Sequence, residues 1–170
     1  VPSEGYLSAA KALCKRHNVL FIADEVQTGI ARTGQLLAVN HENVTPDILI
    51  LGKALSGGAY PVSAVFANDP IMDVITPGSH GSTFGGNPLA CSIANEVLKI
   101  FEDGKISENI TDKSNKLVSG LEELIKRHKN KIKDVRGKGL MLGIECYIEN
   151  SVVTKKSLEA GLLLVNAGEN

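Results

Sequence analysis

The chain has 170 residues, 43% of them hydrophobic and 22% charged, enough to bury the core of one domain or of one domain and part of another. Its 18 Lys and Arg stand against 19 Asp and Glu, a net charge of −1. That balance excludes nucleic-acid binding driven by phosphate neutralisation, and 4% aromatics with no Trp exclude a base-stacking platform.

Helical spacing of Leu7, Ala10, Leu13, Cys14 and His17 predicts a first helix opened by Ser3 or Glu4 and stopped near Asn18. Val19-Leu20-Phe21-Ile22-Ala23 is an apolar run ended by Asp24; Ile48-Leu49-Ile50-Leu51 is a second, ended by Gly52-Lys53; Ala64-Val65-Phe66-Ala67 is a third. Strands apolar on both faces belong to sheets covered on both sides, so the expected class is α/β with a mostly parallel sheet. Asn87-Pro88 starts a helix, Asn as N-cap and Pro at the first helical position, and the apolar spacing of Leu89, Ile93, Val97 and Ile100 carries it to Gly104. Ser107 is read as the cap of a further helix with Leu117, Leu121 and Leu124 on its apolar face. Val135 to Gly139 is expected to turn, Leu140 to Ile144 to form a strand, Leu158 to lie in a short helix, and Leu162 to Val165 to form a last strand. The change of style places a domain boundary near Asp103, dividing 1–103 from 104–170. No apolar run reaches the ~18 residues of a membrane span, and no signal-peptide pattern opens the chain. With Val1 in place of an initiator Met and an apolar run close to Asn170, the sequence reads as a piece of a longer protein.

The chemistry concentrates at strand ends, because ligands of open α/β sheets sit beyond the carboxyl ends of the strands. Asp24 and Lys53 both occupy such ends. A lysine there is costly to desolvate, and a neutral amine is a nucleophile toward carbonyls; a side chain that snorkels to the surface fits the position as well. Asp24, in Asp24-Glu25-Val26-Gln27, suits a carboxylate that holds a positive ring nitrogen, with Gln27 on a neighbouring ring oxygen; it equally suits a cap on the following turn. Ser82-Thr83-Phe84-Gly85-Gly86 leads into a helix N-terminus, a phosphate-attracting arrangement that also describes a plain capped loop. It is not a Walker loop, since no Gly-Lys-Ser/Thr ends it. His17, His41, His80 and His128 are scattered and Cys14, Cys91 and Cys146 lie far apart, so neither a metal site nor a disulfide framework is expected.

Four segments carry a resemblance to a known family. Phe21 to Gly29 with Arg32-Thr33-Gly34 resembles the cofactor-ring segment of the class III aminotransferases. Pro46 to Gly58 resembles their Schiff-base lysine segment. His80 to Pro88 resembles the phosphate loop that reaches across their dimer, and Val135 to Leu140 the entry to their small domain. The four come in family order and cover almost the whole chain. The resemblance implies the pyridoxal-phosphate transferase fold type I, with 1–103 in the large cofactor-binding domain and 104–170 in the start of a small α+β domain. It implies pyridoxal 5'-phosphate bound covalently to Lys53, the catalytic lysine and proton shuttle. Asp24 would hold the ring nitrogen, Gln27 the ring oxygen, and Ser82 and Thr83 the phosphate of the partner subunit's cofactor, which makes a homodimer necessary.

Ala59 to Val65 and Pro77 to His80 are most similar to family members acting on ornithine. The implied reaction moves the δ-amino group of ornithine to 2-oxoglutarate. It yields glutamate and a semialdehyde that cyclises to pyrroline-5-carboxylate, which belongs to proline biosynthesis and arginine metabolism. Members acting on acetylornithine or 4-aminobutyrate are the alternative within the family, and a non-catalytic aminotransferase-like scaffold the alternative outside it. The expected compartment is the cytoplasm, or the mitochondrial matrix. The family's Gly-rich phosphate cup, ring-stacking aromatic and substrate-carboxylate arginine are not among these residues, so the chain alone is expected to be inactive.

Overall fold

The computed structural model describes residues 2–102 and 104–168. Residue contacts divide the chain into two compact units, Pro2–Ile110 and a second that begins at Thr111. The boundary expected at Asp103 lies outside the described residues.

The first unit is built on three strands, β1 (Ile22–Asp24), β2 (Ile48–Leu51) and β3 (Ala64–Ala67), in the order β1-β2-β3. β1 and β2 run parallel, with Ala23 opposite Leu49 and Asp24 opposite Ile50. β3 returns antiparallel, Leu51 opposite Ala64. The reason is the connection: residues 52–63 hold one 3-10 turn, Lys53–Ser56, and no crossover helix that would carry the chain back to a parallel start. β2 and β3 lie where their apolar runs predict, whereas only the end of the first run is strand.

Side chains alternate across the sheet. Ala23 packs with Val39 and Val44, against Leu7 of α1 (Tyr6–Arg16) and Leu49. Leu51 joins Ile30 and Leu55 in a second cluster covered by Val97, Leu98 and Phe101 of α3 (Pro88–Glu102). The opposite face carries Ile22, 53% exposed, so the sheet is covered on one side by described residues and not on both as its apolar strands predict.

Helix ends follow backbone chemistry. α1 starts after Gly5, which takes φ +79°, rather than at a Ser3 or Glu4 cap, and Asn18 stops it with φ +52°. A short α2 (Asp69–Met72) follows β3. At α3 the expected cap forms: Asn87 Oδ1 accepts the Ala90 N–H at 2.9 Å, and Asn87 Nδ2 donates to the Phe84 carbonyl at 2.8 Å.

α4 (Lys105–Arg127) begins directly after Gly104, whose φ of +75° turns the chain, so Ser107 lies inside the helix and is not its cap. In the second unit β4 (Ile132–Lys138) and β5 (Met141–Cys146) form an antiparallel hairpin. Val135 to Lys138, expected to turn, is therefore strand, and the turn is confined to Gly139-Leu140. Its exposed face gathers Lys133 and Arg136 on Glu145, whose carboxyl they hold below the usual range; Arg136 also reaches Asp134 at 3.0 Å. α5 (Asn150–Glu159) ends the regular structure. Leu162 to Val165 is not a strand, because no described strand lies beside it to pair with; Val165 is 93% exposed.

The fold makes three checkable predictions. A Cβ on Gly137, at φ +149°, would sit 2.1 Å from the Met141 carbonyl oxygen, so Gly137→Ala should cost about 2–3 kcal/mol in urea unfolding. Gly120→Ala in α4, where nothing lies within 4 Å of an added Cβ, should stabilise by about 0.5–1 kcal/mol in the same measurement. Asp47, which ties α1 to β1, is held below the usual carboxylate range by the Lys11 ammonium at 2.6 Å and the Phe21 N–H at 2.7 Å. A lowered carboxyl stabilises fully above its unfolded value of about 4, and that contribution disappears as pH falls through the lower folded value. Thermal midpoints of Asp47→Asn should therefore fall less steeply than wild type below about pH 4.

Candidate active site

The parallel β1–β2 pair ends at residues 24 and 51, and both candidate side chains follow from that edge. Asp24 closes β1 on the exposed face. One of its oxygens, Oδ1, accepts the Val26 N–H at 3.1 Å, the turn-capping role its position allows. Oδ2 makes no hydrogen bond among the described residues, so the carboxylate can cap the turn and still accept from a ligand.

Lys53 opens the 3-10 turn after β2, one residue past Gly52. Its φ is +45°, a left-handed conformation that costs a non-glycine residue about 1–2 kcal/mol. Leu55, 2% exposed, anchors the turn in the Ile30–Leu51 cluster. Full burial of such a side chain contributes about 1.5–3 kcal/mol, enough to offset that strain. Of the two placements the strand end allows, a desolvated amine or a side chain at the surface, the described residues leave Lys53 exposed, with Leu55 and Ser56 in the buried positions of the turn.

The Asp24 turn and the Lys53 segment adjoin. A Cβ on Gly52 would lie 3.4 Å from Val26 Cγ1, so the valine two residues past Asp24 packs on the glycine that precedes Lys53. Ile30 ties them again: at φ +52° it is a left-handed β-branched residue, held by burial against Leu51 and Leu55.

Gln27 is exposed in the turn after Asp24 and makes no hydrogen bond to described residues. Ser82 and Thr83 are exposed in the loop before α3. Ser82 Oγ accepts the Gly85 N–H at 2.9 Å, which leaves its hydroxyl proton to donate. Asp24, Gln27 and Lys53 thus share one sheet edge, while Ser82 and Thr83 are on a separate loop of the same unit.

Sequence reasoning passed over Glu25, which is 2% exposed. Its Oε1 accepts the Val39 N–H at 2.9 Å and its Oε2 the Thr28 hydroxyl. The available signal was an acidic residue beside a strand-end aspartate and three before a threonine. Among the described residues no three His, Cys, Asp or Glu side chains group to hold a metal ion, and no helix is long and apolar enough to cross a membrane.

The family model of the class III aminotransferases matches residues 1–170. The chain belongs to that family, and its α/β architecture is part of the pyridoxal-phosphate transferase fold type I. It is 51% identical over all 170 residues to the mitochondrial ornithine aminotransferase of Drosophila ananassae, of which it covers 37%. Among solved structures it is similar to an acetylornithine aminotransferase from Elizabethkingia anophelis, at 54% identity and a TM-score of 0.92. All of this chain and 43% of that one are covered. It is also similar to the ornithine aminotransferase of Plasmodium yoelii, at 48% identity and a TM-score of 0.89, with all of this chain and 46% of that one covered. The chain thus spans less than half the length of these relatives.

Gly29 closes the turn that carries Gln27, and a Cβ there would lie 2.7 Å from the Glu25 carbonyl oxygen. Gly29→Ala should therefore displace the turn and destabilise the protein by about 1–3 kcal/mol, read as a lower midpoint in thermal unfolding.

Proposed function

We propose that this chain carries the lysine and ring-binding part of a transaminase that moves the δ-amino group of ornithine to 2-oxoglutarate, with pyridoxal 5'-phosphate as cofactor. The observation that carries the reading is the shared edge: Asp24 ends β1, Lys53 follows its parallel neighbour β2 by one glycine, and Val26 packs on that glycine, Gly52. The residues fit the cofactor by their chemistry. An unpartnered carboxylate oxygen, an exposed primary amine and an exposed carboxamide offer an acceptor for a ring N–H⁺, a nucleophile for an aldehyde and a donor for a ring oxygen. The bound cofactor supplies an aldehyde carbon and an electron-withdrawing pyridinium ring.

The chain's own residues then do the following. With the cofactor bound, the Lys53 amine would take the proton from the substrate carbon that bears the amine, and its ammonium form would then serve as the acid. Asp24 Oδ2 keeps the ring nitrogen protonated. Gln27 orients the ring oxygen. Ser82 and Thr83 donate hydroxyls to the phosphate of the cofactor in the partner subunit of a homodimer. Residues 1–103 belong to the large domain and 104–170 to the small one.

Identity near 50% with ornithine aminotransferases over the whole chain supports ornithine as donor. The acetylornithine aminotransferase of similar structure supports acetylornithine as the second reading, and 4-aminobutyrate is a third donor to test. The semialdehyde product would cyclise to pyrroline-5-carboxylate, in proline and arginine metabolism. The relative from Drosophila is named as mitochondrial, which supports the matrix beside the cytoplasm as the compartment.

The test uses the full-length protein. With pyridoxal phosphate added, wild type should show a visible absorption band that borohydride fixes covalently, and Lys53→Ala should lose both. Asp24→Asn should lower kcat by at least about 10²-fold, the usual scale for proton-transfer catalysis, while changing cofactor affinity far less. Turnover with ornithine should exceed that with acetylornithine or 4-aminobutyrate. A wild type without the band refutes the cofactor reading, and preference for another donor refutes the substrate.

A further inference from the structure

Glu25 is a buried acidic residue to which the proposed chemistry gives no task. Strand alternation sends its side chain inward as Asp24 faces out: Glu25 is 2% exposed. It forms no ion pair with any described residue. All four of its polar atoms are instead committed to hydrogen bonds. Its N–H donates to the Ile50 carbonyl at 2.9 Å, extending the β1–β2 ladder one residue past Asp24. Its carbonyl accepts the Gly29 N–H at 2.9 Å, closing the turn 25–29. Its carboxyl accepts the Val39 N–H through Oε1 and the Thr28 hydroxyl through Oε2. Val39 is 3% exposed in the cluster with Ala23 and Val44, so that bond anchors the turn to a packed core.

Asp24 and Gln27 flank these fixed points. Asp24 immediately precedes Glu25, and Gln27 is bracketed by Glu25 and Thr28, whose side chains are bonded to each other. Neither Asp24 nor Gln27 is itself packed, since both are exposed. The bonding of Glu25 fixes the backbone between them, beside the β1–β2 pairing at Asp24 and the packing of Val26 on Gly52.

We infer that Glu25 is a positioning residue, which holds the 24–29 turn so that Asp24 and Gln27 are set for the ring they are proposed to bind. The inference rests on the proposed function above for its catalytic consequence, and on the hydrogen bonds alone for its structural one. A glutamine can reproduce the geometry: its carbonyl oxygen accepts from Val39 and its amide N–H donates to the Thr28 oxygen. Alanine can do neither, and Thr28→Val removes one bond at constant shape.

The experiment compares wild type, Glu25→Ala, Glu25→Gln and Thr28→Val as full-length proteins. Two readouts are taken: amide hydrogen exchange of residues 24–29 without cofactor, and steady-state kinetics with the cofactor spectrum. In Glu25→Ala the turn should exchange at least about fivefold faster, and kcat should fall about tenfold or more with KM for ornithine within about threefold, as misplacement of catalytic groups predicts. Thr28→Val should change both in the same direction and less. Glu25→Gln should restore exchange and most of kcat. If Glu25→Ala does not fold, Thr28→Val and Glu25→Gln carry the same comparison. Unchanged exchange in the variants, or faster exchange with kcat per bound cofactor intact, overturns the inference. A wild type with neither cofactor band nor turnover overturns the proposed function instead, and with it the catalytic consequence; exchange then still decides whether Glu25 holds the turn.

Discussion

β2 hydrogen-bonds to a strand on each side, and its parallel pairing with β1 is the constraint on which the rest of the first unit depends. Parallel neighbours end at the same edge. The pairing of Asp24 with Ile50 therefore brings the turn after β1 level with the turn after β2. An antiparallel pairing would have sent the two loops to opposite ends of the sheet. β3 can be antiparallel without disturbing this, because it contributes none of the candidate side chains.

Around that edge the backbone is held in conformations it would not choose. Lys53 and Ile30 are both left-handed, at a cost of about 1–2 kcal/mol each. Both belong to segments fixed by the same apolar cluster, Ile30, Leu51 and Leu55, under α3. Burial of two such side chains contributes about 3–6 kcal/mol, more than the strain. The core thus sets the direction in which the lysine leaves the sheet, and Val26 against Gly52 sets how near the two turns come. Glu25 adds the polar counterpart: a carboxyl turned inward that makes the bonds by which the exposed Asp24 and Gln27 are located.

The second unit rests on a hairpin whose tightness comes from one backbone position. Gly137 lies against the Met141 carbonyl, where no other residue has room. The charges on the outer face add little, since ion pairs in solvent contribute at most about 1 kcal/mol.

β2, β3 and the Asn87 cap were legible because each is encoded locally, by a continuous apolar run or by a side chain that satisfies its own helix. So was the resemblance carried by the segments around Asp24, Lys53 and Thr83, and the family it implies. β4 was not legible: Gly137 within it and Gly139 just past it read together as a turn, and only pairing with β5 makes Val135 to Lys138 a strand. Leu162 to Val165 fails in the opposite sense, with strand-forming residues and no described partner. The exposure of Lys53 and the inward turn of Glu25 depend on which neighbours fill the space beneath the sheet edge. The residue types that could do chemistry were thus determined by the sequence alone. Which of them share an edge, and which face solvent, was decided only in three dimensions, because strand pairing and core packing join residues far apart in the chain.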